Sequence, residues 1–181
     1  MRTPALVACA ILLGACATLP APAPPVEPVV DLSFDASGRL SARRGTEGAA
    51  AHFAWAHVPG RDAIELATPM GTTLARLERD GEGATIERPD RPVERSRDAA
   101  TLVERSLGFP LPVESLAWWI RAAPHPGSPH AIERDASGRV LVLRQDGWSV
   151  VYAYEDGAAR PLRLFATYPD LEVRIVIDAW R

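Results

Sequence analysis

The chain has 181 residues, 47% apolar and 24% charged, a globular composition that excludes a disordered or fibrous protein and fits one domain. Twenty cations, all of them arginine, stand against 23 acids for a net charge of −3, which lacks the positive excess that phosphate-backbone binding needs and excludes nucleic acid as a partner. No apolar run reaches the roughly 18–20 residues that cross a bilayer as a helix, so a polytopic helical membrane protein is excluded as well.

Met1-Arg2-Thr3 supplies a short positive end, and Pro4 to Leu13 an apolar stretch too short to span but suited to the core of a secretory signal. It ends in Leu13-Gly14-Ala15-Cys16, which resembles a bacterial lipobox. That resemblance implies a lipoprotein signal peptide over residues 1–15 and a mature N-terminus at Cys16, modified with a thioether-linked diacylglycerol and an N-acyl chain. Ala17 stands where Asp would mark inner-membrane retention, which implies an outer-membrane destination. Cys9 leaves with the signal, and Cys16 is the only other cysteine, so the mature chain forms no internal disulfide. Residues 16–30 read as a lipidated, proline-rich tether. Pro20, Pro22, Pro24, Pro25 and Pro28 fit a semi-rigid polyproline spacer, at ~3.1 Å per residue, as well as a disordered one.

From residue 31 to 181 the pattern is that of a single domain dominated by period-two alternation. Ala49, Ala51, Phe53, Trp55 and His57 share one face of a strand; Trp148, Val150, Tyr152 and Tyr154 share another; Val173, Ile175, Ile177 and Ala179 a third. Turns at Pro59-Gly60, Asp80-Gly81, Ser137-Gly138, Asp146-Gly147 and Asp156-Gly157 separate the runs, which predicts an antiparallel meander. Two helices interrupt it. Ser96 is the expected cap of the first, with Ala99, Leu102, Val103 and Leu107 on one stripe and Gly108 past its end. Pro112 opens the second, with Val113, Leu116, Ala117 and Ile120 along one side and Trp118 and Trp119 pointing about 100° apart. About five or six strands precede the helices and four or five follow. Asp-Ala-Ser-Gly-Arg occurs at 35–39 and at 135–139, and both copies read as turn chemistry rather than duplication.

Catalytic and metal motifs are missing. His52 and His57 lie five apart on a strand and leave opposite faces; His125 and His130 sit in a proline-rich loop without a neighbouring carboxylate. There is no nucleophile elbow, no His-Glu-x-x-His and no phosphate-binding glycine loop, so the chain does not read as an enzyme.

Five stretches in order carry a resemblance to a family. Phe34 through Leu40-Ser41-Ala42-Arg43 with His52-Phe53-Ala54-Trp55, and then Leu66-Ala67-Thr68-Pro69-Met70-Gly71-Thr72-Thr73, are similar to its opening strands and protruding loop. Leu107-Gly108-Phe109-Pro110-Leu111-Pro112-Val113 with Leu116 and Trp119 is similar to its helical segment. Gln145-Asp146-Gly147-Trp148 with Val150 and Tyr152, and Ile175-Val176-Ile177-Asp178 with Trp180, are similar to its closing strands. The whole resembles the LolB family of outer-membrane lipoprotein receptors. It departs from the family pattern at Met70, which takes a leucine's place, and at Ala122-Ala123, where a glycine is usual before the proline.

The resemblance implies a mainly β domain with a helical insertion: an incomplete antiparallel β-barrel of the LolA/LolB kind, covered by helices and enclosing an apolar cavity. It implies a monomer, lipid-anchored in the outer membrane and facing the periplasm, that accepts acylated lipoproteins from the soluble carrier LolA and inserts them into the membrane. No nucleotide or metal cofactor is implied. Candidate cavity residues are Phe53, Trp55, Trp148, Val150 and Tyr152 on strands, with Trp118 or Trp119 from the helical lid; strand parity alone does not separate lining a cavity from filling a core. Met70 is the candidate for membrane insertion and cargo transfer, because the Pro and Gly beside it place it at a projecting tip. From the residues alone, an assembly lipoprotein that binds a protein partner and a lipid-anchored hydrolase stay open as other functions.

Overall fold

Alternating apolar and polar side chains let a strand bury one face and wet the other, and most of the eleven strands in the computed structural model are built this way. It describes residues 33–108 and 111–181, with the backbone alone at Leu107. The signal segment, Cys16 and the tether lie outside the described residues, as do Phe109 and Pro110.

The order is β1 (Phe34–Arg44), β2 (Glu47–Val58), β3 (Arg61–Ala67), β4 (Thr73–Asp80), β5 (Gly83–Glu87), β6 (Glu94–Ser96), α1 (Ala99–Leu107), α2 (Val113–Trp119), β7 (His130–Arg134), β8 (Val140–Gln145), β9 (Trp148–Ala153), β10 (Arg163–Tyr168) and β11 (Leu171–Trp180). All strands join one antiparallel sheet in the order β6-β5-β4-β3-β2-β1-β11-β10-β9-β8-β7. The first described strand therefore pairs with the last, and the sheet grows outward from that central pair in two meanders. Its edges, β6 and β7, do not meet, which makes a half-barrel. The helices are the connection from one edge to the other, so they cross the concave face.

In β2, Ala51, Phe53, Trp55 and His57 are buried while His52, Ala54, Ala56 and Val58 are exposed; in β11, Leu171, Val173, Ile175 and Ile177 are buried. The main core joins Phe53, Trp55 and the buried residues of β11 to Leu116, Ala117 and Trp119 of α2, to Ile120 after it and to the inner faces of β8–β10. A second cluster packs Leu102 and Val103 of α1 on Ala84 and Ile86 of β5.

Two local expectations are corrected. Ser96 ends β6 and does not cap α1. The cap is Asp98, whose Oδ1 accepts from the backbone N–H of Ala100 (2.9 Å) and Thr101 (3.3 Å), while the Ser96 hydroxyl accepts from the Asp98 N–H. A carboxylate is the stronger acceptor for the exposed N–H groups of a first turn. The two Asp-Ala-Ser-Gly-Arg copies also differ. The second is a turn, with Asp135 Oδ1 accepting from the N–H groups of Ser137 and Arg139, both at 2.9 Å. The first is strand, paired on both sides, with a bulge at Ser37/Gly38. There Gly38 permits a close approach, since a Cβ would lie 2.0 Å from the Val176 carbonyl oxygen.

Ala122 has a φ of 58°, the left-handed region in which a Cβ is strained. Ala122→Gly is expected to stabilise the fold by about 0.5–1 kcal/mol, the relief of that strain exceeding the extra freedom of the unfolded glycine. A rise in the urea midpoint at unchanged slope is the measurement.

Candidate functional site

Side-chain volume divides the concave face in two. Beneath the helices, Leu40 and Ala42 of β1 stand opposite Ala51 and Ala49 of β2, and Leu66 of β3 stands opposite Ala75 of β4. Alanines at these inward positions leave space that no neighbouring side chain enters. The result is a cavity of about 560 Å³, roofed by Val103 of α1 and by Val113, Leu116 and Ile120 on one face of α2. This size and apolar lining match those of pockets that hold small apolar ligands. The polar lining gathers at one end, where Arg44 and Glu47 of the first hairpin meet Arg88, Ser106 and Gly108. Arg44 donates to the Gly108 carbonyl (2.7 Å) and Arg88 to that of Ser106 (3.3 Å), so two guanidinium groups hold the C-terminal end of α1.

Phe53 and Trp55 line this cavity. Trp118, Trp119, Trp148, Val150 and Tyr152 do not. Trp119 is fully buried, its ring centroid 5.9 Å from that of Trp148, which packs on Tyr168 at 5.1 Å. Val150 and Tyr152 are buried in the same packed half, and the Tyr152 hydroxyl has no hydrogen-bond partner among the described residues; burial pushes it well above the ordinary phenol range. Trp118 is half-buried on the other side of α2, edge-on to His125 and beneath the Arg121 guanidinium. Aromatic rings thus fill the β8–β10 side, and alanines keep the β1–β4 side open. Leu40, Leu66, Ala75, Ile86 and Val113 were missed as lining residues. The readable signal for them was the inward alanines of β1 and β2.

Met70 stands at the apex of the β3–β4 connection and is 93% exposed. The backbone beneath it is fastened: Gly71 N–H donates to the Thr68 carbonyl (2.9 Å), Thr68 N–H to that of Thr72 (2.8 Å), and Thr72 N–H to the Thr68 hydroxyl (3.1 Å). Gly71 supplies the positive φ of 85° that this tight reversal requires. Leu74, 42% exposed, lies between the tip and the cavity and belongs to the cavity lining.

At the other end of the strands a polar row crosses the inner face. Cross-strand register puts Asp62 of β3 beside His57 of β2 and Arg79 of β4. Asp62 is 1% exposed and accepts from Trp55 Nε1 (2.9 Å), His57 Nδ1 (2.7 Å) and Arg79 Nε (2.7 Å). Arg79 Nη1 continues to Glu114, in the first turn of α2, at 2.9 Å. The buried Gln145 does a similar service at α2's far end: its Oε1 accepts from Trp119 Nε1 (2.9 Å) and His125 N–H (2.8 Å). Among the described residues no cluster of His, Cys, Asp and Glu could hold a metal, and no helix is long and apolar enough to cross a membrane.

An open antiparallel sheet, a helical cover strung between its edges and an apolar hollow beneath define a half-barrel built to enclose an apolar ligand. A solved DUF1329 family protein from Desulfovibrio piger shares this fold, with a TM-score of 0.57 over 84% of this chain and 86% of that one, at 8% identity. The family model for the outer membrane lipoprotein LolB matches residues 32–180. The outer-membrane lipoprotein LolB of Thiobacillus denitrificans is 39% identical over 186 residues, covering 100% of this chain and 98% of that one. That of Chromobacterium violaceum is 33% identical over 185 residues, covering 100% and 99%. The chain belongs to the LolB family of outer-membrane lipoproteins.

Burial opposes the charge on Asp62, but the hydrogen bonds from His57, Trp55 and Arg79 and the Arg79 charge outweigh it and hold the carboxyl below its ordinary 3.8. A carboxyl that ionises more readily folded than unfolded contributes stability that is full above its unfolded value and is lost as pH falls through its folded one. The stability advantage of the parent chain over Asp62→Asn is therefore expected to hold at about pH 5 and to shrink steadily below about pH 4. Paired urea titrations across that range measure it.

Proposed function

We propose that this domain takes the acyl chains of lipoproteins into its apolar cavity from the periplasmic carrier LolA and passes them to the outer membrane past Met70. The observation that carries this reading is the placement of an apolar cavity and an exposed apolar tip at the same end of one sheet, with Leu74 between them. Removal of signal residues 1–15, lipidation of Cys16 and a tether over residues 16–30 complete the proposal: the anchor stations the domain of residues 31–181 at the membrane, and the domain acts as a monomer.

The energetics require such a pair of surfaces. Each acyl chain exposes methylenes that cost about 0.8 kcal/mol apiece in water, roughly 10 kcal/mol per chain, so free diffusion of a triacylated cargo is negligible. Hand-over proceeds when the chains pass between apolar sites of comparable depth. The cavity supplies one such site. An exposed thioether at the tip adds a flexible, polarisable side chain that enters hydrocarbon without a polar group to desolvate.

Cavity and tip are separable. Leu66→Trp fills the cavity and is expected to reduce acceptance of cargo from loaded LolA at least about tenfold, because the indole takes the space an acyl chain needs. Met70→Glu changes only an exposed apex. It is expected to fold and accept cargo normally yet deliver it to vesicles about tenfold or more slowly, because a carboxylate resists entry into hydrocarbon. A reconstituted transfer assay with the full chain reads both steps; normal acceptance by the first variant or normal delivery by the second overturns the assigned role.

A further inference from the structure

Asp62 is the only acidic side chain among the described buried residues, and none of the acyl-transfer steps above uses it. Its two oxygens serve two directions. Oδ1 faces β2 and holds the indole N–H of Trp55, whose ring is part of the cavity wall. Oδ2 faces β4 and holds Arg79, at 2.7 Å from Nε and 2.6 Å from Nη2. Arg79 is itself mostly buried and turns its remaining edge to Glu114. Glu114 adjoins Val113, and Val113 with Leu116 and Ile120 makes the face of α2 that roofs the cavity. A continuous path of short polar contacts thus runs from wall to roof by way of Asp62.

We infer that Asp62 is a positioning residue for the cargo cavity, fixing the Trp55 wall and the α2 roof in one geometry so that the space between them fits an acyl chain. This rests on the cavity being the acyl-chain site. The chemistry favours coupling over independent contacts. A guanidinium buried without its carboxylate is costly, so loss of the Asp62 charge drives Arg79 outward and frees Glu114 and α2 with it. An asparagine offers one acceptor oxygen where the carboxylate offers two, so it cannot hold the Trp55 indole and Arg79 together. The planar fork of Arg79 spans both carboxylates at once, which a lysine's single ammonium does not reproduce with the same directionality.

The test uses the full chain in lipid nanodiscs and a synthetic tripalmitoyl-cysteinyl peptide with one photoreactive acyl chain, reading the crosslinking yield to the cavity residues. Asp62→Asn is expected to lower the yield about tenfold, and Trp55→Phe and Glu114→Gln about threefold each, the scale of coupling between side chains in one network. In the Asp62→Asn background neither of the other two changes should have a further effect. General destabilisation would not produce that non-additivity. Where Asp62→Asn fails to fold, the Trp55→Phe/Glu114→Gln pair measures the same coupling and should fall short of the product of its single effects. Full yield in Asp62→Asn, or effects that simply multiply, overturns the inference while leaving the cavity reading intact. Absence of crosslinking to the cavity in the parent chain overturns both.

Discussion

The constraint on which the structure depends is that the sheet does not close. β1 pairs with β11, the two meanders grow away from that centre, and the curve ends with β6 and β7 apart. An open concave sheet of apolar side chains is unstable in water until something covers it. The chain solves this with the segment that must travel from β6 to β7 in any case. Two short amphipathic helices lie along that route and bury their apolar faces on the sheet. A closed barrel of these strands would have had no such gap to bridge.

What lies beneath that cover follows from residue size. On the β8–β10 side, Trp119, Trp148, Tyr152 and Tyr168 interlock and leave a solid interior. On the β1–β4 side, Ala42, Ala49, Ala51 and Ala75 leave a hollow. The packed half and the polar contacts at both ends of α2 hold the roof above it. Gln145 secures the end of α2 at Trp119, and Arg79 secures its start at Glu114.

Much of this was legible in the sequence. Parity gave the correct inward face of β2, β9 and β11, because a strand whose other face is wet has only one way to satisfy its side chains. The helical stripe Val113, Leu116, Ala117 and Ile120 was equally plain. Less legible was whatever depended on partners distant in sequence. Phe53 and Trp148 look alike in their strands, yet one borders empty space and the other is packed, and only the residues opposite them decide which. Asp62 carries no motif of its own; its role needs the cross-strand neighbours His57 and Arg79. The repeated pentapeptide shows the same limit, since pairing on two sides turns one copy into strand while the other keeps its own hydrogen bonds.

The β3–β4 connection separates scaffold from payload. Its backbone is stapled by Thr68, Gly71 and Thr72, and the side chain at its apex supports nothing else in the domain. Position 70 therefore behaves as an interchangeable nib: natural variation can swap one greasy residue for another there, tuning how eagerly the apex leaves water, without renegotiating any part of the architecture behind it.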